Sequence, residues 1–468
     1  MKKASIYYIS YSVFIFCFMI LCNNKLSKAV VFSGIFLLLG LGSFYINKNY
    51  LKSLIFLLGF CLPINLSFYY LNYYPDRNIA GALVGWKFTL LDLIIFLIII
   101  YSFRNFTSKI FRKKINILIL VYLLINIFSV NVALDKYAAL FEVVRLLKCI
   151  LLMYAIITTF NSELYDVFVD AIGKTIIVQF ILGILQIIKG GNLGLSFLGE
   201  SQRVFRDGVT GLEKGMSGTL GHPGTMAIFT LFCLTMLIFN TRLKNRKLYI
   251  LISIITIILT FARTSIILMC FIIIIYKITT RKKFTLTYKK LIIVYLIAAI
   301  SLVGALILKD QIGDIVNRFI ASDFSNQVDG RGEHSQLAIQ IYNNRESWSY
   351  GANNYIFASQ KNFPNHYSLQ HFKYIFPVHN LYCLYLVELG VWGMIIYIAL
   401  ISIPIINWFI FDILKGKKTN KYLITFAVWS IVIMIYNFTG WSGAKDILVY
   451  PMWIVLGLSE CFSNKVIN

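Results

Sequence analysis

Histidines and arginines are the residues of this sequence whose types and positions could do chemistry. Its five histidines all lie outside the long apolar runs: His222, His334, His366, His371 and His379. All but the first fall within the polar stretch 309–379, which predicts a site in that region. An imidazole near its ordinary pKa can take a proton from a hydroxyl group at neutral pH. The spacing does not supply the three or four ligands of a metal site, so no metal and no other cofactor is expected.

Two arginines have surroundings that suit the binding of an anion. Arg263 lies in FARTSIIL, between two apolar halves, where a guanidinium needs a partner or a water-filled cavity and suits bidentate binding of phosphate. Arg331 lies between two glycines in VDGRGEHSQ, where a flexible backbone can approach an anion closely. Further arginine candidates for substrate binding are Arg206, Arg318 and Arg345.

The segment FPVHNLYCLYLVELGVWG predicts a helix that begins beside a titratable side chain. Asn380 is suited to cap this helix, and His379 precedes it at an end that favours anions. Glu388 follows inside the apolar stretch, where a carboxylate requires a partner. These three residues, together with His222, complete the candidate site.

The composition defines the class of protein that must position these residues. Of the 468 residues, 59% are hydrophobic and only 14% are charged. The apolar residues form long runs, which are typical of transmembrane helices. The eight cysteines lie in or beside apolar segments, so no disulfide framework is predicted. The sequence therefore predicts an all-α, polytopic bundle of about 14 (12–14) transmembrane helices with one large extracytoplasmic loop.

The individual spans follow from the positions of the apolar runs. They are predicted at 5–22, 29–47, 52–71, 84–103, 115–133, 144–160, 169–188, 222–240, 248–261, 264–278, 291–308, 380–411, 421–438 and 446–461. The span 380–411 is long enough to be tilted or broken at Gly390 or Gly393. Residues 1–200 form an N-terminal set of membrane helices, and 201–468 form a second region that includes the loop 309–379.

Basic loops set the predicted orientation. The net charge is +24, but Lys and Arg cluster in short loops, as the positive-inside rule requires, so no nucleic acid partner is expected. The basic loops 104–114, 241–247, 277–290 and 412–421 fall on one side only if 248–278 is a hairpin with Arg263 at its outer turn. That side is predicted to be cytoplasmic and to carry both termini. The protein is predicted to reside in the cytoplasmic membrane.

Other charged residues carry lesser predictions. Glu142, Arg145 and Lys148 follow one another at i, i+3 spacing, which allows a local ion pair on one helix with a structural role. Asp92, Asp170 and Lys174 are the few polar groups near the membrane midplane that a transporter would require.

The order and spacing of these motifs resemble the O-antigen ligase and O-antigen polymerase superfamily of bacterial surface-glycan assembly. The matching segments are TGLEKGMSGTLGHPGTMAIF (210–229), LTFARTSII (259–267), GRGEHSQLAIQIYNNRESWSYGANNY (330–355) and HNLYCLYLVELGVWG (379–393). Together they cover about 205–395. The first 200 residues match only as generic membrane helices.

The resemblance implies a metal-independent membrane glycosyltransferase. Its donor would be an oligosaccharide on polyprenyl diphosphate, reached from the membrane, and its partners would include membrane lipid, with other membrane proteins of polysaccharide assembly as further candidates. Arg263 and Arg331 would hold the leaving diphosphate, and His379 would act as the general base.

Three functions follow from these observations. A polymerase joins lipid-linked repeat units into a chain, and the long loop and the helix count favour it. A ligase would instead transfer the finished glycan to a different acceptor. A transporter or flippase for a lipid-linked glycan is the third alternative.

Overall fold

A computed structural model describes most of the chain. The described residues are 2–21, 26–72, 85–103, 115–201, 215–280, 324–366, 376–414, 420–440 and 446–465. Within them the architecture is a helical bundle with one short β-hairpin.

The N-terminal half contributes seven of the described helices and both strands. These are α1 (Lys2–Leu21), α2 (Leu26–Asn47), α3 (Tyr50–Cys61), β1 (Ser67–Asn72), β2 (Gly85–Thr89), α4 (Leu90–Ser102), α5 (Ile115–Val132), α6 (Lys136–Thr159) and α7 (Ser162–Lys189). Side-chain caps begin several of them. Asp135, for example, accepts from the Ala138 amide, and Thr89 and Asp92 form a capping box on α4.

The C-terminal half contributes the remaining helices of the described chain. These are α8 (Pro223–Phe239), α9 (Arg246–Leu259), α10 (Arg263–Thr280), α11 (Phe324–Asn343), α12 (Tyr355–Asn362), α13 (Leu381–Trp408), α14 (Lys421–Tyr436) and α15 (Asp446–Lys465). A π-helical segment, Phe409–Leu414, follows α13, and short 3-10 turns lie at Ser196–Leu198, Gly218–Leu220 and Pro364–His366.

Helix α8 lies at the centre of the bundle. Every residue of α8 except Gly224 is buried, as expected for a helix that is apolar on all sides. It packs against α9, α10, α14 and α7, while α13 packs against α14, α5 and α15. The core therefore joins both halves of the chain, because α3, α4, α6 and α7 bury apolar residues in the same cluster as α8, α13, α14 and α15.

The chain is an integral membrane protein by the length and apolar character of its helices. Among the described residues, four helical stretches are both long enough and apolar enough to cross a bilayer: Leu26–Asn47, Ile115–Val132, Ser162–Lys189 and Leu381–Phe411. Shorter apolar helices lie at Ile6–Ile20, Tyr50–Cys61, Leu90–Ser102, Pro223–Phe239, Lys421–Tyr436 and Ile447–Ser463. The predicted count of about fourteen spans is not confirmed.

The predicted spans 52–71 and 84–103 are each partly wrong. Helix α3 ends at Cys61, just before Pro63, because proline cannot donate to the helical hydrogen-bond ladder. The following Ser67–Asn72 pairs antiparallel with Gly85–Thr89, with Phe68 opposite Phe88. An apolar run of this length can be strand or helix by composition alone. The predicted span 291–308 lies outside the described residues.

Two predictions about helix breaks are confirmed. The stretch 248–278 is a hairpin of α9 and α10, joined by a turn at 260–262 with Arg263 at its end. Helix α13 is broken at Gly390, whose φ is +68°. Both breaks lie close to candidate functional residues.

Candidate functional site

The start of α13 places His379 at one end of the bundle. Asn380 caps the helix, as predicted, because its Oδ1 accepts from the Tyr382 and Cys383 amides at 3.0 and 3.2 Å. The Leu381 amide donates to the Asn437 carbonyl oxygen at 2.8 Å, which ties this end to the C-terminal end of α14. The half-buried His379 is held directly before the cap.

Helix α11 brings a second histidine to His379. The ring centroids of His334 and His379 lie 6.1 Å apart, with their planes tilted by 50°. The Ser335 side chain bonds to Cys383, in the first turn of α13, and so supports the same packing of the two helices. His334 was not predicted as a site residue, although its position among the four histidines of 309–379 was the available signal.

Arg331 lies on α11 and not on a flexible loop, so that part of its prediction is wrong. The helix forms despite Gly330 and Gly332, each of which costs about 1 kcal/mol relative to alanine. Leu337 and Ile341 are buried and pack on the core, which offsets this cost. Arg331 precedes His334 by about one helical turn along the backbone.

A buried segment, Ser349–Tyr355, anchors the polypeptide that follows α11. We call it the docked segment, and all of its residues are buried. Asn354, with 0% exposure, accepts from the Asp135 amide at 2.7 Å and donates to the Asp135 carbonyl oxygen at 3.1 Å. The Ala352 amide donates to Ser129 Oγ at 3.1 Å. The docked segment is therefore fixed on the connection between α5 and α6.

Glu388 fixes the docked segment from its other side. Its side chain is buried, and Oε1 accepts from the Tyr355 amide, at the first residue of α12, at 3.1 Å. The adjacent break in α13 lets Gly390 approach the Trp348 carbonyl oxygen, which would lie 2.7 Å from a Cβ at that position. The partner that Glu388 was expected to need is thus a backbone amide, while its predicted contact with substrate stays a prediction.

Arg263 lies at the turn between α9 and α10. Phe261, two residues earlier, has a φ of +53°, a conformation that costs a non-glycine residue about 1–3 kcal/mol. The Met216 amide donates to the Leu259 carbonyl oxygen at 3.1 Å, which holds the polypeptide before α8 against this turn. The turn presents the half-buried Arg263 as the first residue of α10.

Arg263 and His379 lie at the same end of the bundle. The C-terminal part of α10 contacts the C-terminal end of α8, where the rings of Tyr276 and Phe239 are 5.6 Å apart. That end of α8 meets the N-terminal end of α14 through Thr241 and Lys421. The N-terminal end of α10 therefore faces the far end of α14, where α13 begins.

The remaining predicted site residues make only local contacts or lie outside the described residues. Arg345 stacks on Tyr342, with its guanidinium carbon 3.6 Å from the ring centroid, and its buried Nε has no hydrogen-bond partner among the described residues. The exposed His222 caps α8 by accepting from the Gly224 amide at 3.0 Å. Arg206 and Arg318 lie outside the described residues. In the part of the chain that the structure describes, no three acidic, histidine or cysteine side chains form a metal-binding group.

These features define a helical membrane protein with histidine and arginine candidates at one end of its bundle. Residues 248–398 match the family model described as O-antigen ligase. The match runs from α9 into α13 and contains Arg263, Arg331, His334 and His379, so the predicted resemblance to the superfamily is confirmed over this segment. No curated protein matches the chain. The family match supports a role in membrane polysaccharide assembly.

Proposed function

We propose that this protein is a polysaccharide polymerase that joins polyprenyl-diphosphate-linked oligosaccharide repeat units on the outer face of the cytoplasmic membrane. The observation that carries the proposal is the position of His379. It lies at the capped start of α13, beside His334 and at the same bundle end as Arg263, within the matched segment. This chemistry requires no metal ion and no other cofactor.

In the proposed reaction, His379 acts as a general base toward a sugar hydroxyl of the acceptor. The imidazole takes the hydroxyl proton as the oxygen forms a bond to the anomeric carbon of the donor glycan. The bond from that carbon to the diphosphate oxygen breaks, and polyprenyl diphosphate leaves with its electron pair. A positioned base of this kind contributes typically about 10²–10⁴-fold to the rate.

The arginines are proposed to stabilise the leaving diphosphate. A fixed guanidinium favours the negative charge that develops as the bond breaks, and Arg263 is held by a constrained turn at the same bundle end as His379. Arg331 lies on the helix that carries His334 and is assigned the same role. Because the donor is a lipid, a site at a helix end suits its diphosphate, which resides at the membrane surface.

His334 is proposed to assist His379. Two imidazoles whose centroids are 6.1 Å apart can both reach one hydroxyl group placed between them. One ring then accepts the hydroxyl proton while the other donates a hydrogen bond to the oxygen. This arrangement would orient the acceptor for attack.

Ligase-type transfer to a different acceptor is the second candidate, because the matching family model is described as O-antigen ligase. A transporter is less well supported. Asp92 is held by Lys148 at 2.9 Å and Tyr450 at 2.7 Å, and Asp170 is paired with Lys174 at 2.8 Å. These contacts are those of structural ion pairs.

The test is the glycan profile of cells in which His379→Ala replaces the native protein at matched membrane abundance. We expect single lipid-linked repeat units to accumulate on the outer side without long polymer. Trp392→Phe is a control on the same helix, since the Trp392 side chain is 71% exposed. It should leave polymer length and amount unchanged.

Other outcomes separate the alternatives. Unchanged polymer in His379→Ala cells would exclude His379 as the base. Full-length polymer that stays on its lipid carrier would assign the ligase reaction. Lipid-linked precursor trapped on the inner side would assign transport.

A further inference from the structure

A cavity lies at the opposite end of the bundle from His379. It has a volume of about 360 Å³ and lies where α7 and α14 begin and α8 ends. Helix α14 joins the two ends, and its 16 residues span roughly 24 Å. We call this feature the basic-end cavity. It takes no part in the reaction proposed for His379.

Two basic loops that are far apart in the sequence meet at this cavity. Lys421 Nζ lies 3.4 Å from Thr241 Oγ1, which joins the predicted basic loops 241–247 and 412–421. Arg242, beside Thr241, also lines the cavity. Both cationic side chains are exposed at its rim.

The floor of the cavity is aromatic and closely packed. Tyr165, only 1% exposed, packs edge-on against Tyr422 at a centroid distance of 5.1 Å. Tyr422 in turn stacks on Phe462 at 4.3 Å. An apolar floor with a few polar groups at the rim is typical of sites for small ligands, and the volume lies in the range of such sites.

The rim has an excess of positive charge. Asp166 is the carboxylate beside it, bonded to Asn240 Nδ2 at 2.8 Å and to Arg242 Nη1 at 3.5 Å. Lys421 has no carboxylate partner among the described residues. One acidic group therefore faces two cations, so the cavity favours an anion.

We propose that the basic-end cavity binds a phosphate group. Cationic side chains with amide groups nearby can bind phosphate oxygens. The tyrosine floor can contact the first part of the acyl chains when the phosphate belongs to a lipid headgroup. The cavity lies at the ends of membrane-crossing helices, on the side predicted to be cytoplasmic, where a leaflet carries anionic lipids. The phosphate can be carried by such a headgroup or by a soluble phosphate compound.

The test measures retention of phosphatidylglycerol by the full-length protein in phosphatidylcholine nanodiscs, by native mass spectrometry. The double variant Arg242→Ala/Lys421→Ala should lose about tenfold in retention, because both charge-assisted contacts are removed. Lys244→Ala/Lys247→Ala is the matched control. It removes the same charge from exposed residues of loop 241–247 that do not line the cavity, and it should retain the lipid.

A second arm uses inorganic phosphate to distinguish the source of the phosphate group. If phosphate raises the apparent Tm of the wild type but not of Arg242→Ala/Lys421→Ala, and no lipid is retained, the ligand is soluble. Equal loss of lipid in both double variants would overturn the proposal, because general surface charge would then explain binding. So would the absence of any lipid or phosphate effect in the wild type. The single variants Arg242→Gln and Lys421→Gln replace the alanine double variant if it does not fold.

Discussion

The docked segment near His379 and the basic end of the bundle are held by different kinds of interaction. At the end where His379 lies, buried amide side chains such as Asn354 bond to backbone groups of the docked segment and its surroundings. At the basic end, partly exposed charged side chains form ion pairs. Lys52 pairs with Glu163 and Arg242 with Asp166, with exposures of 30% and 63% in the first pair. Exposed ion pairs are screened by salt, whereas buried hydrogen bonds between neutral groups are not.

This difference between buried hydrogen bonds and exposed ion pairs suits the role proposed for each end. A base and an arginine act on one bond only if their positions are fixed within a fraction of an ångström, which buried hydrogen bonds and tight packing provide. Binding of a phosphate group at the membrane surface requires mainly positive charge and a cavity that is large enough. Four substitutions test this comparison, from the largest expected effect to the smallest.

Asn354→Ala should destabilise the protein most. It removes bonds to the amide and carbonyl groups of Asp135 and to the Ala352 carbonyl oxygen, and leaves them buried. We expect a loss of about 3 kcal/mol, measured as apparent Tm and denaturant midpoint in detergent. Asn344→Ala, at an exposed position nearby, should change neither. Equal behaviour of the two variants would contradict the anchoring role of the docked segment.

Gly390→Ala should cost about 2 kcal/mol and reduce polymer length. An alanine is strained at a φ of +68°, and its Cβ would lie 2.7 Å from the Trp348 carbonyl oxygen. The measurement combines apparent Tm with the glycan profile. Gly42→Ala is the control, because a Cβ at Gly42 meets no atom within 4 Å. A stable, fully active Gly390→Ala protein would mean that the break in α13 is not required.

Glu388→Gln should cost less than about 1 kcal/mol, because the amide oxygen can still accept from the Tyr355 amide. This variant separates the two roles of Glu388. If polymer is lost at an unchanged apparent Tm, the carboxyl group itself acts on substrate. If both are retained while Glu388→Ala loses both, Glu388 serves as an anchor for the docked segment.

Lys52→Met should have the smallest effect, about 0–1 kcal/mol at low salt and less at high salt. Its partner Glu163 is largely exposed, so water replaces the lost contact. The apparent Tm in 50 mM and 500 mM salt provides the measurement. A large loss that persists at high salt would show that the basic end is as tightly fixed as the other end.

Local patterns in the sequence were sufficient for several features. The i, i+3 spacing of Glu142 and Arg145 predicted their ion pair, which is confirmed at 2.7 Å. The cap at Asn380, a break at Gly390 or Gly393 and the hairpin turn before Arg263 were also predictable, because each depends on a few adjacent residues and on the charge of the loops. The helical membrane class followed from composition.

Only the tertiary structure decided which distant residues meet. Three contacts each join separate elements: His334 lies beside His379, Lys148 pairs with Asp92, and Asn354 bonds to the backbone of Asp135. So does the meeting of Lys421 with Thr241 at the basic-end cavity. These contacts depend on how helices pack in three dimensions, and an apolar pattern specifies that a helix face is buried without specifying its partner. The sequence by itself determined the helical membrane class and local features that depend on adjacent residues, such as the cap at Asn380, and packing determined the two sites.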